Sequence, residues 1–210
     1  MSVTLHAILD ADLAAARGWI LIDLARAYLA GGARLIQLRA KHLPGNRLLD
    51  EARQLVEVAR TAAAQVIVND RADIARLAGA AGVHLGQEDL SPEAARQIVG
   101  PDAAIGLSTH SDAQVAAAAG EPVSYVAVGP VFDTPTKTTG YRAVGLDLVA
   151  RAAAGERGGR GRPIVAIGGI TLDRAEAVIE AGASSVAVIG DLLATGDPEG
   201  RVRAYLSALG

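Results

Sequence analysis

No cysteine occurs in the 210 residues. Disulfides, thiolate metal sites and cysteine nucleophiles are therefore excluded together. Aromatic residues are scarce at 3%, and the formal net charge is −3. A nucleic-acid surface needs a basic face and often stacking aromatics, so none is expected. Half of the residues are apolar, yet no apolar run approaches the roughly 18–20 residues that span a bilayer. The opening stretch MSVTLHAILDADLAAARG lacks a basic start followed by a long apolar segment, so no secretory leader is expected. These absences predict a soluble, cytoplasmic chain with no membrane partner. Residues 1–210 are expected to form one domain, long enough to bury a proper core. Chemistry must come from Asp, Glu, Lys, Arg, His, Ser, Thr, Asn and backbone amides.

What is present is an alternation. Short Val- and Ile-rich runs occur at 5–10, 35–39, 66–69, 83–86, 104–108, 125–129, 164–169 and 185–190. Helical patterns separate them, such as NRLLDEARQLVEVARTAAA and TLDRAEAVIEAGA. Near-continuous apolar strands alternating with helices imply a parallel sheet buried on both faces. Eight such units, at roughly 26 residues each, predict a single α/β domain of the (β/α)8 TIM-barrel type at the short end of its size range. An open doubly wound sheet is the alternative. It usually carries G-x-G-x-x-G after its first strand, and LHAILD is followed by no such turn. The Gly/Arg-rich stretch 152–163 precedes the seventh strand and is expected to be a mobile surface loop on the stability face. The segment 130–145 follows the sixth strand and has the length and polarity of a lid.

In such a barrel the site lies at the C-terminal ends of the strands. Strand two ends Gln37-Leu38-Arg39-Ala40-Lys41, and period two sets Gln37, Arg39 and Lys41 on one face. Cations at that height inside a barrel need an anionic partner; charges spilling into solvent are the plainer alternative. Asn69 and Asp70 end strand three, and Asp89 follows strand four. Two carboxylates at adjacent strand ends beside cations suggest Mg2+, which takes one or two carboxylates and completes its shell with water and phosphate. Asp70 has a rival role as a helix N-cap, whereas Ser91 before Pro92 is the better cap after Asp89.

Ser108, at the end of strand five, can donate a hydrogen bond into the mouth, with Ser111 or Asp112 capping the next helix. No acid stands at a triad spacing, so a nucleophilic serine is not proposed. The role of His110 stays open, and His84 has more the character of a buried core or pocket-wall histidine than of a catalyst. On the lid, Thr134, Pro135, Thr136 and Lys137 offer hydroxyls and an ammonium to a phosphate. Strand seven ends at Gly168-Gly169 and strand eight at Ile189-Gly190-Asp191. Glycines there let backbone amides approach a phosphate at helix N-termini, and these two loops are the recurrent phosphate site of such barrels. The site thus has two anion centres: a glycine cradle suited to a monophosphate, and Arg39, Lys41, Lys137 and Mg2+ suited to a pyrophosphate.

QLRAK (37–41), VND (68–70), GVHLGQED (82–89), GLSTH (106–110), GPVFDTPTK (129–137) and AIGGI (166–170) resemble the thiamin phosphate synthase family, in its order and at its spacing. The resemblance implies a transferase of thiamin biosynthesis that couples a hydroxymethylpyrimidine pyrophosphate to a thiazole phosphate and releases pyrophosphate. It assigns residues 37–41, Asn69, Ser108 and Lys137 to the pyrimidine pyrophosphate. Asp70 and Asp89 fall to Mg2+, and Thr134, Pro135, Thr136, Gly169, Ile189 and Gly190 to the thiazole phosphate. Ser108, Lys137, Arg39 and Lys41 are the candidate catalytic groups. Two residues depart from the pattern: Gly190 stands where family members often have Ser, and Asp133 where Pro is common. The rival functions are a thiazole tautomerase-like isomerase, working by acid/base chemistry, and a non-catalytic phosphate-ligand sensor. The pair Asp70 and Asp89 with Lys41 and Lys137 argues against the isomerase, which needs no pyrophosphate site. A homo-oligomer is compatible with the sequence, which does not decide it.

Overall fold

The computed structural model describes residues 4–134 and 140–210. Eight parallel strands close into a barrel in chain order. The first half runs β1 (Leu5–Asp10), α1 (Ala11–Ala16), α2 (Leu21–Ala30), β2 (Leu35–Arg39), α3 (Gly45–Thr61), β3 (Gln65–Asn69), α4 (Ala72–Ala78), β4 (Gly82–Leu85) and α5 (Pro92–Val99). The second runs β5 (Ala104–Thr109), α6 (Asp112–Ala118), β6 (Tyr125–Val128), α7 (Gly145–Gly158), β7 (Ile164–Ile167), α8 (Leu172–Glu180), β8 (Ser185–Val188) and α9 (Pro198–Leu209). β1 pairs with both β2 and β8, which closes the cylinder and leaves no sheet edge. The alternative of an open doubly wound sheet is thereby excluded. No helix among the described residues is long and apolar enough to cross a membrane.

Period two sorts each strand's side chains. Those of Leu5, Ala7 and Leu9 face the helices in the large outer core, and those of Ile8, Tyr125, Ala127, Val165, Ala187 and Ile189 form a second cluster inside the cylinder. The interior apolar cluster is drawn from β1, β6, β7 and β8, although β1 also carries buried His6 and Asp10 and β8 carries buried Ser185; β2 to β4 add the buried polar side chains Gln37, Asn69 and His84. The helices start on local signals. Ser91 Oγ accepts from Ala94 N and Pro92 opens α5, while Ser111 Oγ accepts from Gln114 N at the start of α6.

Of the stretch 152–163, only residues 159–163 form the link to β7; residues 152–158 are helical. Helix α7 runs through Gly158, and Ala152, Ala153 and Glu156 are buried on it. Glu156 forms an ion pair with buried Arg162, which also donates to Ala118 O at 2.7 Å. Glycine and arginine content suggested mobility because charge is normally solvated; here Glu156 and Arg162, six residues apart, neutralise each other while buried.

Candidate active site

A cavity of about 820 Å3 opens at the C-terminal ends of the strands. Arg39, Ser108, Thr134, Gly169, Ile189 and Gly190 line it together. Gln37, Leu38, Ala40, Lys41, Asn69, Asp70 and Asp89 do not line this cavity. Leu38 and Ala40 point their side chains into the outer core, so only their backbone is available to a ligand. Pro135, Thr136 and Lys137 lie outside the described residues.

On the β2–β5 side the groups meet through charge. The Lys41 ammonium sits 3.1 Å from Asp70 Oδ2. Burial, then the touching Asp89 carboxyl, raises the Asp70 pKa, and Lys41 only partly offsets this. Asp70 adopts a left-handed backbone conformation, φ +66°, and its amide donates to His84 O at 2.7 Å. It does not cap the following helix: the N-cap of α4 is Arg71, with no side-chain cap bond. Asp89 Oδ2 accepts from Gly86 N at 2.6 Å, folding the turn that carries it back toward β4. Two carboxylates held in contact at a cost, with one ammonium nearby among the described residues, form a donor set that fits Mg2+. Among the described residues no cluster of three or more His, Cys, Asp or Glu could hold a metal alone, so phosphate and water would have to complete the shell. Gln37 and Asn69 are buried at the same end and make no side-chain hydrogen bond among the described residues, which leaves their amides for a ligand.

The filter of strand ends passed over one residue that it should have caught. Asp10, the last residue of β1, forms an ion pair with Arg39 and accepts from Leu13 N at 2.9 Å as the N-cap of α1. The anionic partner that Arg39 requires is thus supplied in part by the protein. Its Nε is buried and unpartnered, so the guanidinium is held in place with donors to spare.

On the β7–β8 side the groups are backbone. Gly168 and Gly169 follow β7 with φ of +100° and +63°, a left-handed pair that only glycine adopts readily. β7 therefore ends two residues earlier than the apolar run suggested. A Cβ on Gly169 would lie 2.6 Å from Asp133 O and 2.8 Å from Phe132 O. The bare glycine thus admits the base of the β6–α7 segment as well as any phosphate. That base is fixed: Val131 N and Phe132 N donate to Ile167 O and Gly168 O, and Val144 N returns to Pro130 O. β8 likewise ends at Val188, and Ile189 caps a short 3-10 turn, Gly190–Leu193. Asp191 ties these pieces together. Its Oδ2 accepts from Leu172 N at the start of α8 (3.2 Å), from Arg201 Nη2 (2.7 Å) and from Tyr205 Oη (2.6 Å) on α9. Arg17 and Arg174 also line the cavity. Arg174 lies on α8 and Arg17 caps the end of α1, which is why a reading of strand ends missed them.

His84 is buried, as expected of a core or wall histidine, and bonds to Tyr125 and Ser108. Near it at the mouth, His110 Nδ1 lies 2.5 Å from Gly129 O, and its ring stacks on Tyr141 at 3.8 Å.

The family profile described as thiamine monophosphate synthase matches residues 5–192. A thiamine-phosphate synthase of Koribacter versatilis is 44% identical over 207 residues, covering 98% of this chain and 95% of its own. One of Mycobacterium bovis is 46% identical over 198 residues, covering 90% and 88%. The solved structure of a thiamine phosphate pyrophosphorylase from Pyrococcus furiosus superposes with a TM-score of 0.88 at 29% identity, covering 99% of this chain and 96% of that one.

Proposed function

The chain belongs to the thiamine monophosphate synthase family, and from that premise we propose how its mouth performs the coupling. It is an enzyme, a transferase of thiamin biosynthesis. The reaction joins a hydroxymethylpyrimidine pyrophosphate to a thiazole phosphate, giving thiamin phosphate and free pyrophosphate. What supports this reading is that charged side chains at the ends of β2 to β4 and glycine backbone after β7 and β8 stand at the same end of one barrel, with Arg39, Ser108, Gly169 and Gly190 lining a single cavity.

The leaving group departs from a benzylic-type carbon of an electron-rich aminopyrimidine, so the carbon–oxygen bond can break ahead of attack and leave a stabilised cation. The thiazole nitrogen then donates its electron pair to that carbon. No general base is required. The chain's task is to stabilise charge gathering on pyrophosphate and to hold the nucleophile in line. Arg39, preset by Asp10, and Lys41, drawn in by Asp70, supply positive charge. Ser108 donates to a pyrophosphate oxygen, and Gln37 and Asn69 orient the pyrimidine half. The family pattern gives Lys137 to the leaving group and Thr134, Pro135 and Thr136 to the thiazole phosphate. Asp70 and Asp89 would hold Mg2+, which when bound adds positive charge against the leaving pyrophosphate. Gly169, Ile189 and Gly190 offer backbone to the monophosphate.

The test is a coupling assay with both substrates and Mg2+, read as thiamin phosphate formed. Product should depend on all three. Turnover of the thiazole phosphate alone, without the pyrimidine substrate, would instead establish the isomerase reading. In Lys137→Ala the single-turnover rate is expected to fall by roughly 100-fold to 1,000-fold, the scale for losing one preorganised electrostatic contact, with thiazole phosphate affinity nearly unchanged. The reverse pattern would exchange the roles of the two anion sites.

A further inference from the structure

Inside the cylinder, below Ser108, a line of polar groups crosses from β6 to β4 to β5. The Tyr125 hydroxyl lies 2.9 Å from His84 Nδ1, and His84 Nε2 lies 2.9 Å from Ser108 Oγ. Tyr125 is an odd residue to find there. It starts β6, where a small or aliphatic residue would fill the interior, and its ring lies across Gly106 so closely that a Cβ there would sit 2.0 Å from Tyr125 Cζ. His84 stacks on the Tyr125 ring at 5.7 Å and 22°, and His6 meets it edge-on at 5.4 Å. Both rings and the glycine fix the orientation of the phenol.

The chain of hydrogen bonds has a direction, because Tyr125 has one hydroxyl proton and, among the described residues, only one hydrogen-bond partner for its oxygen, His84 Nδ1. If Nδ1 carried a proton it would donate to the Tyr125 oxygen. The hydroxyl proton of a buried tyrosine would then have no acceptor, a penalty that folded proteins avoid. Ionising Tyr125 offers no escape, since burial pushes its pKa well above the ordinary value. The arrangement that satisfies every group has Tyr125 donating to Nδ1 and the proton of His84 on Nε2, donating to Ser108 Oγ. Ser108 then has its acceptor lone pair occupied from below, and its own proton is turned toward the cavity it lines.

We propose that Tyr125 and His84 are positioning residues that set Ser108 as a hydrogen-bond donor to the substrate anion, by locking the Nε2-protonated tautomer of His84. This rests on the reading that Ser108 meets the pyrimidine pyrophosphate. The same polarity explains why Ser108 is no nucleophile despite a histidine at 2.9 Å: that nitrogen gives a proton to the serine and cannot take one from it.

The tautomer is read directly, without substrate, from long-range nitrogen–proton NMR spectra of the whole protein labelled at histidine. His84 should show an unprotonated Nδ1 and a protonated Nε2. An Nδ1-protonated or doubly protonated ring would overturn the proposal, whatever the enzyme's activity. Kinetics supply the second arm. Tyr125→Phe keeps the ring and removes the donor; Ser108→Ala removes the receiver. Tyr125→Phe should raise the pyrimidine pyrophosphate KM, or lower kcat, by roughly twofold to tenfold, the scale of one hydrogen bond, and leave the thiazole phosphate KM within about twofold. In the Ser108→Ala background the same change should have no further effect, because both act through one contact. Additive losses in the double variant, or an unchanged single variant, would overturn it. Should Tyr125→Phe fail to fold, the wild-type spectrum decides alone.

Discussion

The two halves of the mouth are built by different means. On the charged half the polar groups are side chains that hold one another: Lys41 on Asp70, Asp70 against Asp89, Arg39 on Asp10. Around β7 and β8 they are backbone, presented by left-handed glycines and fixed from behind by Asp191, Arg201 and Tyr205. The apolar cluster inside the cylinder draws on β1, β6, β7 and β8, while β2 to β4 place Gln37, Asn69 and His84 beneath the charged half. The difference follows from the anions proposed for them. A leaving pyrophosphate gains charge during reaction, so mobile or metal-borne positive charge acts on the transition state. A monophosphate that only positions the nucleophile keeps its charge throughout, and fixed backbone dipoles hold it without titrating.

The charged half gives the largest expected effect. Asp70→Asn or Asp89→Asn should reduce Mg2+-dependent turnover on the order of 100-fold, through lost metal affinity. Stability should move the other way. Asp70 binds its proton more tightly folded than unfolded, so its contribution favours folding at low pH and is lost as pH rises through its raised folded value. Asp89→Asn removes the facing charge, so the metal-free variant should match or exceed wild-type Tm at neutral pH. Near-normal turnover would remove the metal assignment. A clear fall in Tm would show that Asp89 serves mainly to fold the Gly86 turn.

The glycine half should respond in binding rather than chemistry. Asp191→Asn weakens the tie between the β8 turn, α8 and α9. It should raise the thiazole phosphate KM about tenfold, roughly 1.4 kcal/mol, with little change in the pyrimidine pyrophosphate KM. Equal losses for both substrates would dissolve the distinction between the halves. This variant is a cleaner probe than Gly169→Val, whose side chain would collide with the Phe132–Asp133 backbone before it met a ligand.

Gly190→Ser should have the smallest effect. It restores the hydroxyl common in the family and should lower the thiazole phosphate KM by the value of one hydrogen bond, about 0.5–1.5 kcal/mol. Steady-state kinetics that vary each substrate in turn will measure it. No change would mean that the backbone amides alone carry the monophosphate.

The alternation of apolar strands and amphipathic helices determined the barrel, since a parallel sheet buried on both faces leaves an unbroken apolar signature in the chain. Strand ends likewise singled out Arg39, Lys41, Asp70, Asp89 and Ser108 as candidates, because a polar residue at the close of an apolar run is conspicuous; the fold sets Arg39 and Ser108 on one cavity and Lys41 against Asp70. Pairings were not legible. That Arg39 rests on Asp10, and that Glu156 neutralises Arg162 where a mobile loop was expected, depends on which side chains face each other after folding. Composition records charge and not distance. Tyr125 is the sharpest case. In sequence it is one aromatic at the start of an apolar strand. Only barrel closure lays it over Gly106 and against His84, which is the one hydrogen-bond partner of its hydroxyl among the described residues.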